Sequence, residues 1–204
     1  MAQYKNNRNN GEIVTRGPSV VVNVGDFIVP TGIAGAYIPY SASETLKMTV
    51  TGTFQVGETV TQATSGATGV VVVQSSTGIV VDAITGTFDT THLVTGGTSS
   101  ATGTPSLITA NNKIFGVSNG AYATTDSTFA NSGTKINVST PVKILDYLYI
   151  PVSSGTATTA LEGTYVDVDP AHPGSVIVSA AGSQIYVFEV VDASNIIGVI
   201  ALTI

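Results

Sequence analysis

Apolar and polar positions alternate along this chain in short runs, each closed by glycine, proline or asparagine. In TLKMTV (45–50), Leu46, Met48 and Val50 face one way and Thr45, Lys47 and Thr49 the other, which predicts a strand. The preceding SASE has the form of a capping box, but the period of two that follows outweighs it. YLYIPV (147–152) repeats the pattern, with Tyr147 and Tyr149 on one side and Leu148 and Ile150 on the other. GEIVTRGPSVVVNVGDFIVP reads as two short strands around the turn signals Gly17-Pro18 and Gly25-Asp26. KIFGV, KINVS and VKIL are further short strands between Gly, Asn and Ser clusters. Toward the C-terminus TYVDVD, GSVIVSAA, QIYVFEVV and NIIGVIALTI are apolar on both faces, as in strands covered by layers or by other subunits. No stretch sustains a helical period. The predicted fold is all-β, with short antiparallel strands in sandwich-like or barrel-like units and very little helix.

Within this pattern the chain repeats itself. TGTFQVGETVTQATSGATGV (51–70) aligns without a gap on TGTFDTTHLVTGGTSSATGT (85–104), at an offset of 34 residues and with 11 identities in 20. The matched positions include Phe54 with Phe88, Val60 with Val94, and Ala67-Thr68-Gly69 with Ala101-Thr102-Gly103. An apolar anchor, β-branched residues and glycine turns recur, so the repeat encodes a shape and carries no chemistry of its own. Two copies are too few for a solenoid. The expectation is a pair of related β-hairpins, each with its own small core under Phe54 or Phe88. VVVV (70–73) and IVVDAI (79–84) supply the strands between the matched blocks.

These runs divide the chain into a flexible polar arm (1–10), a β domain (11–152) containing the duplicated module (51–104), a linker-like stretch (153–162) and a C-terminal β region (163–204). Composition sharpens the picture in one respect. Hydrophobic residues make up 43% of 204, charged residues only 10%, and the mean hydropathy is +0.35. Part of so apolar a surface is expected to be covered by another chain, and Tyr147, Tyr149, Ile197, Val199 and Ile200 are the candidate oligomer interface.

The net charge of −6 argues against nucleic acid as a partner, since phosphate binding needs clustered Lys and Arg. Three of the seven basic residues, Lys5, Arg8 and Arg16, lie near the N-terminus, whereas Glu162, Asp167, Asp169, Glu189 and Asp192 follow with no base among them. That asymmetry suggests a basic arm able to lie along an acidic surface, although with three charges a solvated tail is the simpler reading. MAQYKNNRNN has no apolar signal region, and NIIGVIALTI is about half the length that spans a bilayer, so no membrane partner is expected and synthesis is placed in the cytoplasm.

Candidate chemistry is sparse. Gly116-Val117-Ser118-Asn119-Gly120 matches the nucleophile elbow, with Asp146 and His172 downstream, but the motif requires a strand-to-helix turn and no helix signal follows. Ser118 is read as a turn residue. Asp167 and Asp169 fall on one strand face with His172 nearby, a partial oxygen set for a hard cation, yet no calcium-loop spacing accompanies them. They are read as a charged turn into Pro170 and Pro173. His92 stands where the first copy has Glu58 and is read as a solvent-facing repeat position. Phosphate-loop, dinucleotide and zinc patterns are absent, so neither an enzyme, a cofactor nor a metal is expected.

GEIVTRGPSVVVNVGDFIV, followed by GIAGAYIPYSASETLKMTVTGTF, resembles the start of the small β-rich head decoration, or cement, proteins of tailed bacteriophages. NKIFGVSNGAYATTDSTFANSGTKINVST is similar to their later stretch leading into a final strand, and VGETVT…SGATG looks like a module of several phage virion proteins. The resemblance covers about half the chain. From Tyr147 onward there is no counterpart, and the duplicated block looks like an insertion. It implies a non-enzymatic virion protein that binds the outer surface of the major capsid protein lattice, as a homotrimer, and stabilises the head. Lys5, Arg8 and Arg16 would then form a capsid-contact arm. A tail or fibre component, receptor-binding through exposed tyrosines, is the alternative.

Overall fold

The computed structural model of the protein describes residues 3–4, 11–16, 20–33, 36–118, 135–139, 147–178 and 182–201. Lys5, Arg8, VKIL (142–145) and Asp146 lie outside them. In chain order the first strands are β1 (Gln3–Tyr4), β2 (Gly11–Arg16), β3 (Phe27–Pro30) and β4 (Ala36–Pro39). Next come β5 (Glu44–Lys47), β6 (Thr59–Gln62), β7 (Ala67–Ser75), β8 (Gly78–Thr85), β9 (Val94–Gly96), β10 (Thr102–Gly103) and β11 (Leu107–Ala110). β12 (Gly116–Ser118) and β13 (Lys135–Ser139) precede β14 (Leu148–Ser154), β15 (Tyr165–Val168), β16 (Val176–Ile177), β17 (Ile185–Asp192) and β18 (Asn195–Ile200). The helical content among the described residues is one 3-10 turn, Thr159–Leu161.

Pairing sorts these strands into three units. β12, β13, β2, β4 and β3 close into a five-stranded barrel, parallel only between β2 and β4. β5 to β11, inserted in the chain between barrel strands β4 and β12, form a seven-stranded antiparallel sheet in the order β10-β9-β6-β7-β8-β5-β11. β14 to β18 form the third unit, in the order β14-β16-β15-β17-β18, and β18 pairs again with β14 so that the ring of pairings closes. β14 therefore belongs with the C-terminal strands, and the stretch expected to be a linker begins at the end of that strand. Ala157 in it is buried in their core.

The barrel lies against both other units. Phe27 and Val117 join the core of the C-terminal ring, and the Phe27 amide donates to the Pro173 carbonyl at 2.8 Å. On its other side Val29, Ile33, Ala36 and Ile38 pack with Val73 and Val80 of the β7–β8 hairpin. Thr45, expected on the polar face of its strand, is buried at this junction, where its hydroxyl donates to the Thr31 carbonyl at 2.8 Å. Burying a hydroxyl without such a partner would cost free energy, which accounts for the departure from simple alternation.

The two copies of the repeat fold as a clasp. β6 and β9, the equivalent strands, pair antiparallel with Thr61 opposite Thr95, its own counterpart. A local two-fold axis at that pair exchanges the copies, and the surrounding contacts come in reciprocal sets. Thr51 bridges Thr102 as Thr85 pairs with Thr68. The Ala67 amide donates to Ser65 Oγ at 3.3 Å, and the Ala101 amide to Ser99 Oγ at 3.1 Å. Gly52 and Gly86 have φ of +83° and +76°, and each lies against the other copy: a Cβ on Gly52 would meet Ala101 Cα at 3.3 Å, and one on Gly86 would meet Ala67 Cα at 3.1 Å.

Positions at which the copies differ in sequence hold the cross-links. Gln62, whose counterpart is Gly96, is fully buried, and its side chain is hydrogen-bonded at both ends of its amide. Its Nε2 donates to the Asp89 and His92 carbonyls (2.9 and 2.8 Å) and its Oε1 accepts from the Asp89 amide and Ser65 Oγ (2.9 and 2.7 Å). Glu58 Oε2 accepts from the Thr98 and Ser99 amides at 3.0 and 2.9 Å, and Oε1 from Ser99 Oγ and the Gln55 amide, both at 2.7 Å. A Cβ on Gly96 would meet this carboxylate at 2.8 Å. The position occupied by Glu58 and His92 is thus not uniformly solvent-facing, because in the first copy the second copy's turn supplies enough donors to draw the carboxylate inward.

Phe54 and Phe88 are both buried, at 2% and 4% exposure, and both lie in one cluster with Leu46, Met48, Val60, Val71, Ile79, Val81 and Val94. The two small cores expected from the sequence are therefore a single core, since each hairpin closes over the other copy. This clasp can be probed at its glycines. Gly57 has φ of +90°, and a Cβ there would meet nothing within 4 Å, so Gly57→Ala is expected to carry backbone strain alone, about 1 kcal/mol. Gly86→Ala adds the contact with Ala67 and should cost clearly more in urea unfolding. Equal losses would show that the inter-copy contact contributes nothing.

Candidate functional site

In the C-terminal ring, alternation sends one set of side chains into the core and another to the surface. Leu148 and Ile150 of β14, Val166 and Val168 of β15, and Ile185 and Val187 of β17 are buried together. Tyr147, Tyr149, Tyr165, Tyr186 and Phe188 take the alternate positions and gather on the outer face. Tyr165 stands opposite Tyr186, which stands opposite Val199. The Tyr165 and Tyr186 rings meet edge to face with centroids 5.2 Å apart, and Tyr147 and Phe188 are tilted at 4.7 Å. Phe188 is 53% and Tyr165 46% exposed, large apolar surfaces for a chain so poor in charge.

Of the residues expected at an interface, Tyr147, Tyr149 and Val199 belong to this face. Ile200 lies in the core beside Val187 and Ile185, and Ile197 is 3% exposed, so both are already covered within one chain. Tyr165, Tyr186 and Phe188 were not anticipated. Their signal was present in the alternation of TYVDVD and QIYVFEVV, which the uniformly apolar character of these runs obscured.

The N-terminal arm and the acids also take definite places. Gln3 and Tyr4 pair with Tyr149 and Leu148, so two residues of the arm expected to be free form an edge strand of the C-terminal ring. Arg16 ends β2 in the barrel. The acids nearby accept hydrogen bonds within the ring: Glu162 from the Val190 amide, Asp167 from the Ser183 amide, and Asp192 from the Ser194 amide and the Asn195 side chain. Asp192 closes a local turn, whereas Glu162 and Asp167 bond to backbone amides distant in sequence.

A cleft of about 690 Å³ opens beside the aromatic face, where the C-terminal ring meets the loop at Asn112–Ile114. Tyr40, Asn112, Lys113, Asp167, Ser183 and Gln184 line it. Gln184 ties its walls together, accepting from the Val168 amide at 2.9 Å and donating to the Asn112 carbonyl at 3.2 Å. Burial raises the Tyr40 hydroxyl above its ordinary pKa, against a hydrogen bond from Gln184 that lowers it.

Both histidines of the chain occupy the same local device, Asp-x-x-His. His92 Nδ1 lies 2.7 Å from Asp89 Oδ2, and His172 Nδ1 2.8 Å from Asp169 Oδ2. The other carboxylate oxygen accepts a backbone amide two residues on, from Thr91 and Ala171, each bond closing a turn. Ser153 Oγ donates to Asp169 Oδ2 at 2.6 Å. Asp167 and Asp169 are accordingly committed to separate partners, and no cluster of three or more metal-ligating side chains exists among the described residues. Ser118 is 2% exposed in β12, its amide bonded to the Asp26 carbonyl and its carbonyl to the Gly25 amide. It ends β12, hydrogen-bonded through both its amide and its carbonyl to the Gly25–Asp26 turn. Asn119 and Gly120 lie outside the described residues.

Comparison with protein-family models, with curated proteins and with solved structures finds no match.

Several carboxylates titrate away from their ordinary values. The His92 hydrogen bond, with two from Thr91, lowers Asp89. Burial by itself would raise Glu58 and Asp169, but hydrogen bonds from Ser99, Gln55 and Thr98 in the first and from Ser153, His172 and Ala171 in the second outweigh it, and both are lowered. Asp26 and Glu44 are raised by burial. The lowered groups stabilise the fold fully above the unfolded carboxylate range of about 4, and that stabilisation is lost as pH falls through their folded values. The raised pair works in the opposite sense, costing stability above that range. Glu58→Gln should lower stability by about 2 kcal/mol at pH 7. Melting profiles of this variant and the parent should converge as pH falls through the lowered value of folded Glu58, below which the carboxylate is protonated in both states. A gap independent of pH would mean that the charge on Glu58 does not contribute.

Proposed function

We propose that this chain is a structural protein of a bacteriophage virion: a decoration protein that binds the outer surface of the capsid lattice as a homo-oligomer, a trimer, and stabilises the head without catalysis. The observation that carries the reading is the aromatic face of the C-terminal ring, since Tyr and Phe exposed on a rigid sheet supply the apolar core of protein interfaces at low entropic cost. Support also comes from the segments similar to the cement proteins, 11–29, 32–54 and 112–140, which supply the barrel strands and, in addition, β5 of the inserted sheet. Individually modest contacts become strong when summed over a repeating lattice.

Immunolabelling of intact particles of the encoding phage tests the reading. Label is expected on the shell, and the purified protein is expected to scatter light as a species near three times 20.7 kDa. Tyr149→Ala and Phe188→Ala should each weaken shell association by about 2 kcal/mol while leaving the melting temperature in place. Label confined to the tail would select a tail or fibre component instead, and particles carrying no label would overturn a virion role altogether.

A further inference from the structure

The Tyr165–Tyr186 pair adjoins the 690 Å³ cleft along β15 and β17, although neither ring lines it. Asp167 lies two residues beyond Tyr165 on β15 and so projects on the same side, while Ser183 and Gln184 immediately precede the strand that presents Tyr186. The Ser183 amide bonded to Asp167 Oδ1 at 2.8 Å ties the two sides of this corner together. A ligand lying across the face would pass from exposed rings directly onto hydroxyl, amide, carboxylate and ammonium groups.

We propose that this surface is a binding groove for a neutral oligosaccharide. Three features select that class. Exposed tyrosine rings, Tyr165 at 46% and in edge-to-face contact with Tyr186, offer an apolar platform with polar tips, which suits the C–H faces of pyranose rings. The lining mixes donors and acceptors, with Lys113 and Asn112 on one wall and Asp167, Ser183 and Tyr40 on the other, as a polyol whose hydroxyls both donate and accept requires. Among the described lining residues the charged side chains are Lys113 and Asp167, one of each sign. The volume falls within the range of about 300–1,000 Å³ typical of small-molecule sites. Sugar binding at this groove is compatible with a place on the head or elsewhere.

The test uses the purified protein with maltohexaose, cellohexaose, mannohexaose and N-acetylchitohexaose, followed by titration calorimetry and by intrinsic tyrosine emission, which no tryptophan obscures. At least one series should bind and change the emission. Tyr165→Ala should weaken that binding about tenfold or more, a change of about 1.4 kcal/mol. Lys113→Ala, at a loop residue, should weaken it as well, and Leu93→Ala, an exposed residue beside β9 of the inserted sheet, should leave it unchanged. Melting curves of each variant establish that it is folded. No heat and no emission change with any of the four sugars would overturn the proposal. So would binding that survives both groove variants, or a Tyr165→Ala protein that differs from the parent only in oligomeric mass.

Discussion

The antiparallel pairing of β6 with β9 about Thr61 and Thr95 is the constraint on which the inserted sheet depends. Neither copy of the repeat can complete itself. The hairpin of each needs the Thr-Gly corner of the other, at Thr51–Thr102 and Thr85–Thr68, and the Phe rings of both share one core. Sequence divergence between the copies reinforces the arrangement. A perfectly symmetric pair would place the same side chain on both sides of the axis, where two long polar groups would compete for one space. Instead Glu58 faces Gly96, which leaves room for the carboxylate, and Gln62 satisfies the turn at Asp89 and His92 with every polar atom of its amide used. Buried polar groups are tolerable only when fully paired, and here the pairing also fixes the register of one copy against the other.

That sheet is held to the barrel through the Val73 and Val80 cluster, and the barrel in turn shares Phe27 and Val117 with the C-terminal ring. The barrel occupies the middle of the arrangement although its strands come from distant parts of the chain, with 76 positions separating Pro39 from Gly116 in the sequence. The outer face of the ring is consequently displayed on a support that has cores on both sides. Rigid presentation lowers the entropy lost when exposed rings are covered by a partner, so the packing of the interior bears directly on what the aromatic face can bind.

Much of the fold was legible because period-two alternation and glycine punctuation are local signals. VVVV, IVVDAI and, from Leu148, YLYIPV lie in strands, TLKMTV does so only as far as Lys47, and Phe54 and Phe88, matched by the 34-residue offset, are both buried. What local signals do not contain is partnership. Nothing in TGTF says whether its ring packs under its own hairpin or its neighbour's, and nothing in LYIPV says that its partners are at 176 and 196. The same blindness affected the surface. Ile197 and Ile200 were drawn toward an interface by hydrophobicity, but Ile200 lies in the ring's core and Ile197 is already covered within the chain, whereas Tyr165, Tyr186 and Phe188 emerge because their neighbours in sequence turn inward. Acids gathered near the C-terminus suggested a docking surface, yet hydrogen-bond geometry assigns most of them to turns and neighbouring strands of the same ring.

The clasp is tested most directly by a double-mutant cycle of Phe54→Ala and Phe88→Ala, read by both equilibrium unfolding and amide hydrogen exchange. Each single change should cost about 3–5 kcal/mol, and because the rings share one core the pair should be non-additive by about 1 kcal/mol or more. In either single variant, protection should fall at Thr61 and at Thr95 together. Additive losses, with protection lowered only in the copy that carries the substitution, would contradict a shared core and restore two independent hairpins.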